Sequence, residues 1–175
     1  IVVVVHFSGQ SCDMEAIFQL KVRYGFKIIE DASHCIGGEY KGQPIGNCHY
    51  SDITVFSFHP VKIVTSGEGG IAVTNSEILA KNMMLTRNHG ITKDNDNDNQ
   101  KDLEKGDWFY DQVGLGYNYR MTDIAASLGI SQLSKLPDFL SARHAAADFY
   151  NKKITHPLIQ LPFQIETSFS SWHLY

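Results

Sequence analysis

Apolar residues along this chain gather into short blocks whose spacing switches between that of strands and that of helices. Ile1 to Phe7 is rich in β-branched residues, as expected of a strand buried on both faces of a parallel sheet. Ser8 to Ser11 turns the chain, and Asp13 is placed to cap a helix running to about Tyr24. Its apolar positions Met14, Ile17, Phe18 and Val22 recur at helical spacing. Gly25 ends that helix, and Lys27 to Glu30 predicts a second strand around Ile28 and Ile29. Strand, helix and strand within about thirty residues make a βαβ unit, so a mainly parallel, doubly wound sheet is expected.

Further on, Ala32 to Asn47 reads as a Gly-rich loop, Ile53 to Ser57 as a third strand and Gly70 to Thr74 as a fourth. Ser76 is placed to cap a helix through about Thr86. Thr122 or Asp123 begins another through about Leu133, and Pro137 opens a last one to about Ile154. Lys93 to Lys105 is polar and reads as an exposed loop. The segment with Pro157 and Pro162 reads as a linker leading to a strand that starts near Trp172 to Tyr175. The chain opens on Ile-Val-Val-Val-Val without an initiator methionine, and both ends fall in strand-like sequence. An internal piece of a longer polypeptide is therefore expected.

Composition narrows the function classes. Of 175 residues, 43% are hydrophobic and 19% charged, which suits a globular domain and argues against disorder or coiled coil. A net charge of -4, evenly spread, gives no footprint for nucleic acid. No apolar run reaches the ~18 residues of a membrane span, and Ile1 to Val5 lacks the flanks of a signal peptide. Cys12, Cys35 and Cys48 are odd in number and without C-x-x-C spacing. They read as small apolar residues of a chain in a reducing, cytoplasmic setting.

Most candidate motifs fail on spacing. Asp94 to Asp98 begins like a calcium loop, but Asn99 stands where Gly is needed and Lys105 where a bidentate Glu is needed, so a solvated loop fits better. His34-Cys35 and Cys48-His49 lack zinc-ligand spacing, and no metal is expected. Gly67-Glu68-Gly69-Gly70 is not followed by the Lys of a phosphate-binding P-loop, and no G-x-S-x-G elbow occurs.

Asp31 and Lys62 are more informative. Asp31 ends a buried strand, where ligands of open α/β sheets bind, and a bare carboxylate there is costly. Lys62 lies among Val61, Ile63 and Val64, surroundings that disfavour an ammonium and free the amine to attack carbonyls. The residues alone leave open a plainer alternative, a turn-capping aspartate and a surface lysine.

Five ordered stretches add a resemblance that covers almost the whole chain. They are Val5-His6-Phe7-Ser8-Gly9-Gln10, Ile29 to His34, Phe56 to Lys62, Gly67 to Gly70 and Gly116 to Asp123. Together they are similar to the DegT/DnrJ/EryC1/StrS family of pyridoxal-phosphate sugar aminotransferases. Their wording is closest to the branch that makes UDP-4-amino-4,6-dideoxy-N-acetyl-altrosamine for pseudaminic acid. The resemblance implies an α/β fold, the large domain of fold type I (aspartate aminotransferase-like), truncated at both ends. Residues 1–155 would belong to the cofactor-binding large domain, and 156–175 to a linker and the start of a small carboxyl-terminal domain.

The resemblance also implies roles. Lys62 would form the Schiff base with pyridoxal 5'-phosphate and then shuttle a proton; a histidine replaces it in the family's dehydrating members. Asp31 would pair with the pyridine nitrogen, His34 lie against the ring or its phenolic oxygen, and Ser57 bind the phosphate. Asn118 would reach the phosphate of a neighbouring subunit, making a homodimer part of the site. His59 would face the sugar nucleotide, and Arg120 would bind an anion or brace a helix start. Glutamate would donate the amino group to the C4 ketone of a UDP-linked 4-keto-6-deoxy-N-acetylhexosamine. Without the segments that complete the pocket, residues 1–175 alone are expected to be inactive. Alternatives are a non-catalytic binding protein on the same fold, an aminotransferase for another keto sugar, or a metal-binding domain built on Cys35 and Cys48.

Overall fold

The computed structural model describes residues 1–92 and 108–175, and the calcium-like stretch from Asp94 to Lys105 lies outside them. In chain order the elements are β1 (Val2–Val5), α1 (Met14–Tyr24), β2 (Ile28–Asp31), β3 (Glu39–Tyr40), β4 (Gln43–Pro44), β5 (Ile53–Ser57), β6 (Gly70–Val73), α2 (Glu77–Thr86), β7 (Ile91–Thr92), β8 (Asp111–Gln112), α3 (Asp123–Leu133), α4 (Leu136–Lys153) and β9 (Ser168–Phe169). They fall into two compact units, Ile1–Asn75 with Thr122–Tyr175, and Ser76–Met121.

In the first unit a sheet of order β1-β2-β5-β6 carries the fold. β1, β2 and β5 run parallel, with Val5 opposite Asp31 and Asp31 opposite Val55. The predicted mainly parallel sheet is therefore present. β6 turns back antiparallel on β5, with Ser57 opposite Gly70. A Cβ on Gly70 would sit 2.6 Å from the Phe56 carbonyl oxygen, so this pair closes only with glycine there.

Local chemistry explains the helix ends. The Asp13 carboxylate accepts the Ala16 N–H at 3.2 Å and the Tyr40 hydroxyl at 2.7 Å, satisfying an otherwise orphaned donor of α1. Gly25, at φ 73°, ends it in the left-handed region. Ser76 and Thr122 cap α2 and α3 in the same way, each through the amide three residues on. α1 buries Met14 against Val4, Ile28 and Tyr40, with Ile17, Phe26 and Ile45 packed around them. A second cluster joins Ala32, Cys35 and Phe56. Each large aliphatic side chain so buried contributes about 1.5–3 kcal/mol.

Several expectations are corrected. β1 is not buried on both faces: Val4 is buried on the core side, but Val3 and Val5, which alternation sends to the other face, are 59% and 47% exposed. Val22 is 72% exposed, so α1 buries a narrower stripe than its spacing suggested. Ala32 to Asn47 is not all loop, since it holds β3 and β4, which pair antiparallel. No strand starts at Trp172 to Tyr175. The terminal strand is β9, and it pairs antiparallel with β3. Cys35 and Cys48 are buried and Cys12 only partly; all three are free thiols.

One polar cluster lies inside the core. His6 is fully buried and its Nε2 is 2.7 Å from a Glu30 carboxylate oxygen. Thr54 donates to the other Glu30 oxygen at 3.1 Å. Burial pushes the Glu30 carboxyl up, but the His6, Ser51 and Thr54 contacts outweigh it and hold the group below its usual range.

The second unit contains α2 and the antiparallel pair β7–β8, in which Ile91 faces Gln112. Asn88 and Asn118 form an isolated antiparallel bridge there.

Candidate active site

Because β1, β2 and β5 are parallel, their carboxyl ends lie along one edge of the sheet, where α/β proteins bind ligands. His6 and Phe7 follow β1, Asp31 ends β2, and Ser57 ends β5. Four of the residues singled out from sequence, Asp31, His34, Ser57 and Lys62, thus belong to this edge.

Asp31 is partly buried. Its Oδ1 accepts the Ser33 hydroxyl at 2.5 Å and the Ser33 N–H at 3.0 Å. Burial raises the carboxyl, but the Ser33 donors and the nearby His34 and Lys62 charges lower it further, leaving it below the usual range. The charge is therefore held on Asp31, oriented by a turn two residues long.

The sign of the pH effect follows. A depressed carboxyl contributes stability that is present above its unfolded pKa and lost as pH falls through the folded value. Ser33→Ala is expected to be less stable than the parent at about pH 6, with a narrower gap at about pH 3, where Asp31 of the variant takes up its proton before that of the parent. Urea midpoints at the two pH values measure this. A gap that ignores pH would trace the loss to packing of the hydroxyl alone.

Lys62 sits on a loop that closes on itself. The Phe58 carbonyl accepts the Ser66 N–H and the Thr65 hydroxyl, both at 3.0 Å, and the Phe58 N–H donates to Gly69. Ile63 and Val64 anchor the loop in the interior, and Lys62 stands between them and the exposed Val61. The amine is near enough to bear on Asp31, His34 and His173 through its charge. Ser57 accepts the His59 N–H at 3.4 Å, which leaves its own hydroxyl proton to give.

His34 contacts two rings. Phe7 has its centroid 5.4 Å away with 53° between planes, and His173 is at 4.4 Å with 34°. The Ser8 N–H approaches His34 Nδ1 at 3.4 Å. Burial and the Lys62 charge lower the His34 pKa, against a smaller upward pull from Asp31.

His173 is a member of the edge that sequence reasoning missed. It arrives from more than a hundred residues away, on a tail that reads locally as a strand start, and no local pattern marks it. Arg143 donates to the Trp172 and His173 carbonyls at 2.9 and 3.3 Å, and Ser171 donates to the His34 carbonyl at 2.8 Å. Burial, with His34, Lys62 and Arg143 nearby, pushes the His173 pKa down to about 4.

Three further candidates are His59, Asn118 and Arg120. His59 is exposed, 3.9 Å from Glu68. In the second unit Asn118 is exposed, and Arg120 donates to the Asn88 side chain at 2.6 Å, a contact that braces the bridge. Tyr117 and Tyr119 stack beside it at 5.1 Å. Among the described residues no group of three His, Cys, Asp or Glu side chains gathers to hold a metal. No helix among them is long and apolar enough to cross a membrane.

The donor set on the sheet edge fits an aldehyde-bearing pyridine phosphate. It comprises a primary amine, a carboxylate held ionised by two donors, a serine hydroxyl and a neutral imidazole. Comparison with known proteins agrees. The chain is 43% identical over 150 residues to a UDP-4-amino-4,6-dideoxy-N-acetyl-beta-L-altrosamine transaminase of Campylobacter jejuni, covering 86% of this chain and 36% of that protein. Among solved structures, the putative sugar aminotransferase Spr1654 from Streptococcus pneumoniae in its PMP form superposes with a TM-score of 0.84 at 34% identity, over 99% of this chain and 47% of that one. That protein is also known in a PLP form. Helicobacter pylori PseC, an aminotransferase involved in the biosynthesis of pseudoaminic acid, gives a TM-score of 0.82 at 31% identity, over 99% of this chain and 43% of that one. The chain thus spans less than half the length of these relatives. The family's aminotransferases depend on pyridoxal phosphate. With the family model matching residues 1–175 from end to end, this chain belongs to the DegT/DnrJ/EryC1/StrS aminotransferase family.

Proposed function

We propose that the full protein containing this chain uses pyridoxal phosphate to move an amino group from glutamate to the C4 ketone of a UDP-linked 4-keto-6-deoxy-N-acetylhexosamine. The observation that carries the reading is Asp31, held ionised by Ser33, on the same sheet edge as the Lys62 amine. Likeness to the C. jejuni transaminase supports the choice of sugar.

When bound, pyridoxal phosphate supplies an aldehyde that exchanges amines and a ring that takes up an electron pair. Lys62 would hold the aldehyde and, as a free amine, would carry the proton that the reaction moves. Asp31 would hold a proton on the ring nitrogen. Ser57 donates to the phosphate, and Asn118 of a second copy contributes to the same phosphate, which makes the working unit a homodimer. His34 lies against the ring face or its phenolic oxygen. Residues 1–155 belong in this reading to the cofactor-binding part, and residues 1–175 by themselves turn over no keto sugar.

Absorption spectra test the proposal. The full-length protein with pyridoxal phosphate is expected to show a visible band that glutamate bleaches, and the UDP-keto sugar is expected to restore it. No band in a folded protein would leave a binding protein on the same fold. A band bleached by glutamate but restored only by another nucleotide-linked keto sugar would correct the substrate alone.

A further inference from the structure

We propose that His173 is a positioning residue: together with Phe7 and the Ser8 amide it fixes the ring plane and the tautomer of His34. The inference rests on the site described above and assigns a task to the tail, which none of the sequence motifs covers. His34 packs against two rings, Phe7 at 5.4 Å with 53° between planes and His173 at 4.4 Å with 34°. A ring packed against two neighbours is hindered from turning. The Ser8 N–H, 3.4 Å from Nδ1, requires an acceptor there, so the single ring proton of His34 resides on Nε2. His34 thus offers a hydrogen-bond donor in a fixed direction.

The tail holding His173 is fastened at four points. Ser171 N–H donates to the Gly9 carbonyl and Leu174 N–H to the Ser8 carbonyl. Ser171 Oγ donates to the His34 carbonyl, and Arg143 donates to the carbonyls of Trp172 and His173. Gly9, at φ 103°, leaves room for this. A Cβ there would lie 2.5 Å from Ser171 Oγ and 2.9 Å from the Trp172 nitrogen. Among the described residues His173 Nδ1 is buried without a hydrogen-bond partner, a cost that pure packing would avoid. The groups that face the two rings are Asp31, Lys62 and Arg143. The two cations among them disfavour a further proton on either histidine, and Asp31 opposes this at His34 alone.

The test compares His173→Leu, which keeps volume but removes the flat ring, with His173→Phe, which keeps the ring. Nitrogen-detected NMR of the full-length, cofactor-free protein reads the His34 tautomer and its titration, independently of catalysis. The wild type is expected to show the Nε2–H form, titrating below the ordinary histidine range. His173→Leu is expected to populate the Nδ1–H form, raise the His34 midpoint and weaken pyridoxal phosphate binding about tenfold. His173→Phe is expected to keep all three within about twofold. Equal behaviour of the two variants overturns the inference, and so does an Nδ1–H form of His34 in the wild type, which also decides the case if His173→Leu fails to fold. If the NMR differences appear but pyridoxal phosphate does not bind even the wild type, the positioning stands and the aminotransferase reading falls.

Discussion

Lys62→Ala in the full-length protein is expected to lower transamination by at least ~10³-fold, because no other amine on the edge replaces it as nucleophile and proton carrier. The loss is expected to fall on kcat, because Lys62→Ala removes the reacting amine. Two controls sharpen the result. The variant is expected to lack the visible band with pyridoxal phosphate yet keep its folded stability, because Lys62 is only half-buried and the loop is anchored by Ile63 and Val64 and by the Phe58 carbonyl. Lys62→Arg is expected to be equally inactive, because a guanidinium keeps the charge but loses the nucleophile. Arginine activity near the parent's would show that Lys62 acts through its charge alone.

Glu30→Ala carries the largest expected cost in stability. It strands His6, which is fully buried, and leaves the Thr54 hydroxyl without its acceptor. Removing one partner of a buried pair costs about 3–5 kcal/mol. Glu30→Gln keeps an oxygen acceptor for one of the two contacts and is expected to cost about 1–3 kcal/mol. Urea unfolding followed by fluorescence measures both, with the buried Trp172 as a reporter inside the same compact unit. If alanine and glutamine prove equally mild, the pair is surface-like in energy and its burial overstated. The position matters to the site as well, since Glu30 precedes Asp31 and ties the ends of β1 and β2 together beyond their backbone ladder.

Much of the fold was legible because its signals are local. Asp13, Ser76 and Thr122 mark their helices through a side chain that reaches an amide three residues on, and such a contact needs nothing from the rest of the chain. Ile53–Ser57 follows the polar pair Ser51-Asp52 and emerged at its true limits. Pairing direction is different. Nothing in Gly70–Val73 distinguishes an antiparallel return from a parallel one, because that depends on where the Lys62 loop lets the chain turn. The two-residue strands β3, β4 and β9 carry no periodicity at all and exist through contacts between distant segments.

The site divides in the same manner. Asp31, Ser57 and Lys62 stand out as polar residues at or just past strand ends, and the family resemblance covers them. His6 and Glu30 carry a usable signal, two ionisable residues at positions that strand alternation sends inward. His173 had none, since what places it is Gly9, Arg143 and Ser171, each meaningful only once the chain has folded.

That late arrival has a consequence in time. The Gln10 side chain bonds the backbone of Phe163 and Ile165, and Ser11 bonds Ser168, so the β1 end and the tail meet across separations of 153 to 157 residues. Closing a loop of that length costs about 4–5 kcal/mol of chain entropy before any contact repays it. Contacts of such high sequence separation form slowly. Asp31 and Lys62 leave the ribosome with the sheet already able to pair, whereas the ring packing around His34 waits for the tail. During synthesis, therefore, the amine and the carboxylate are in place well before the histidine beside them is fixed, and refolding is expected to regain sheet structure before it regains a rigid His34.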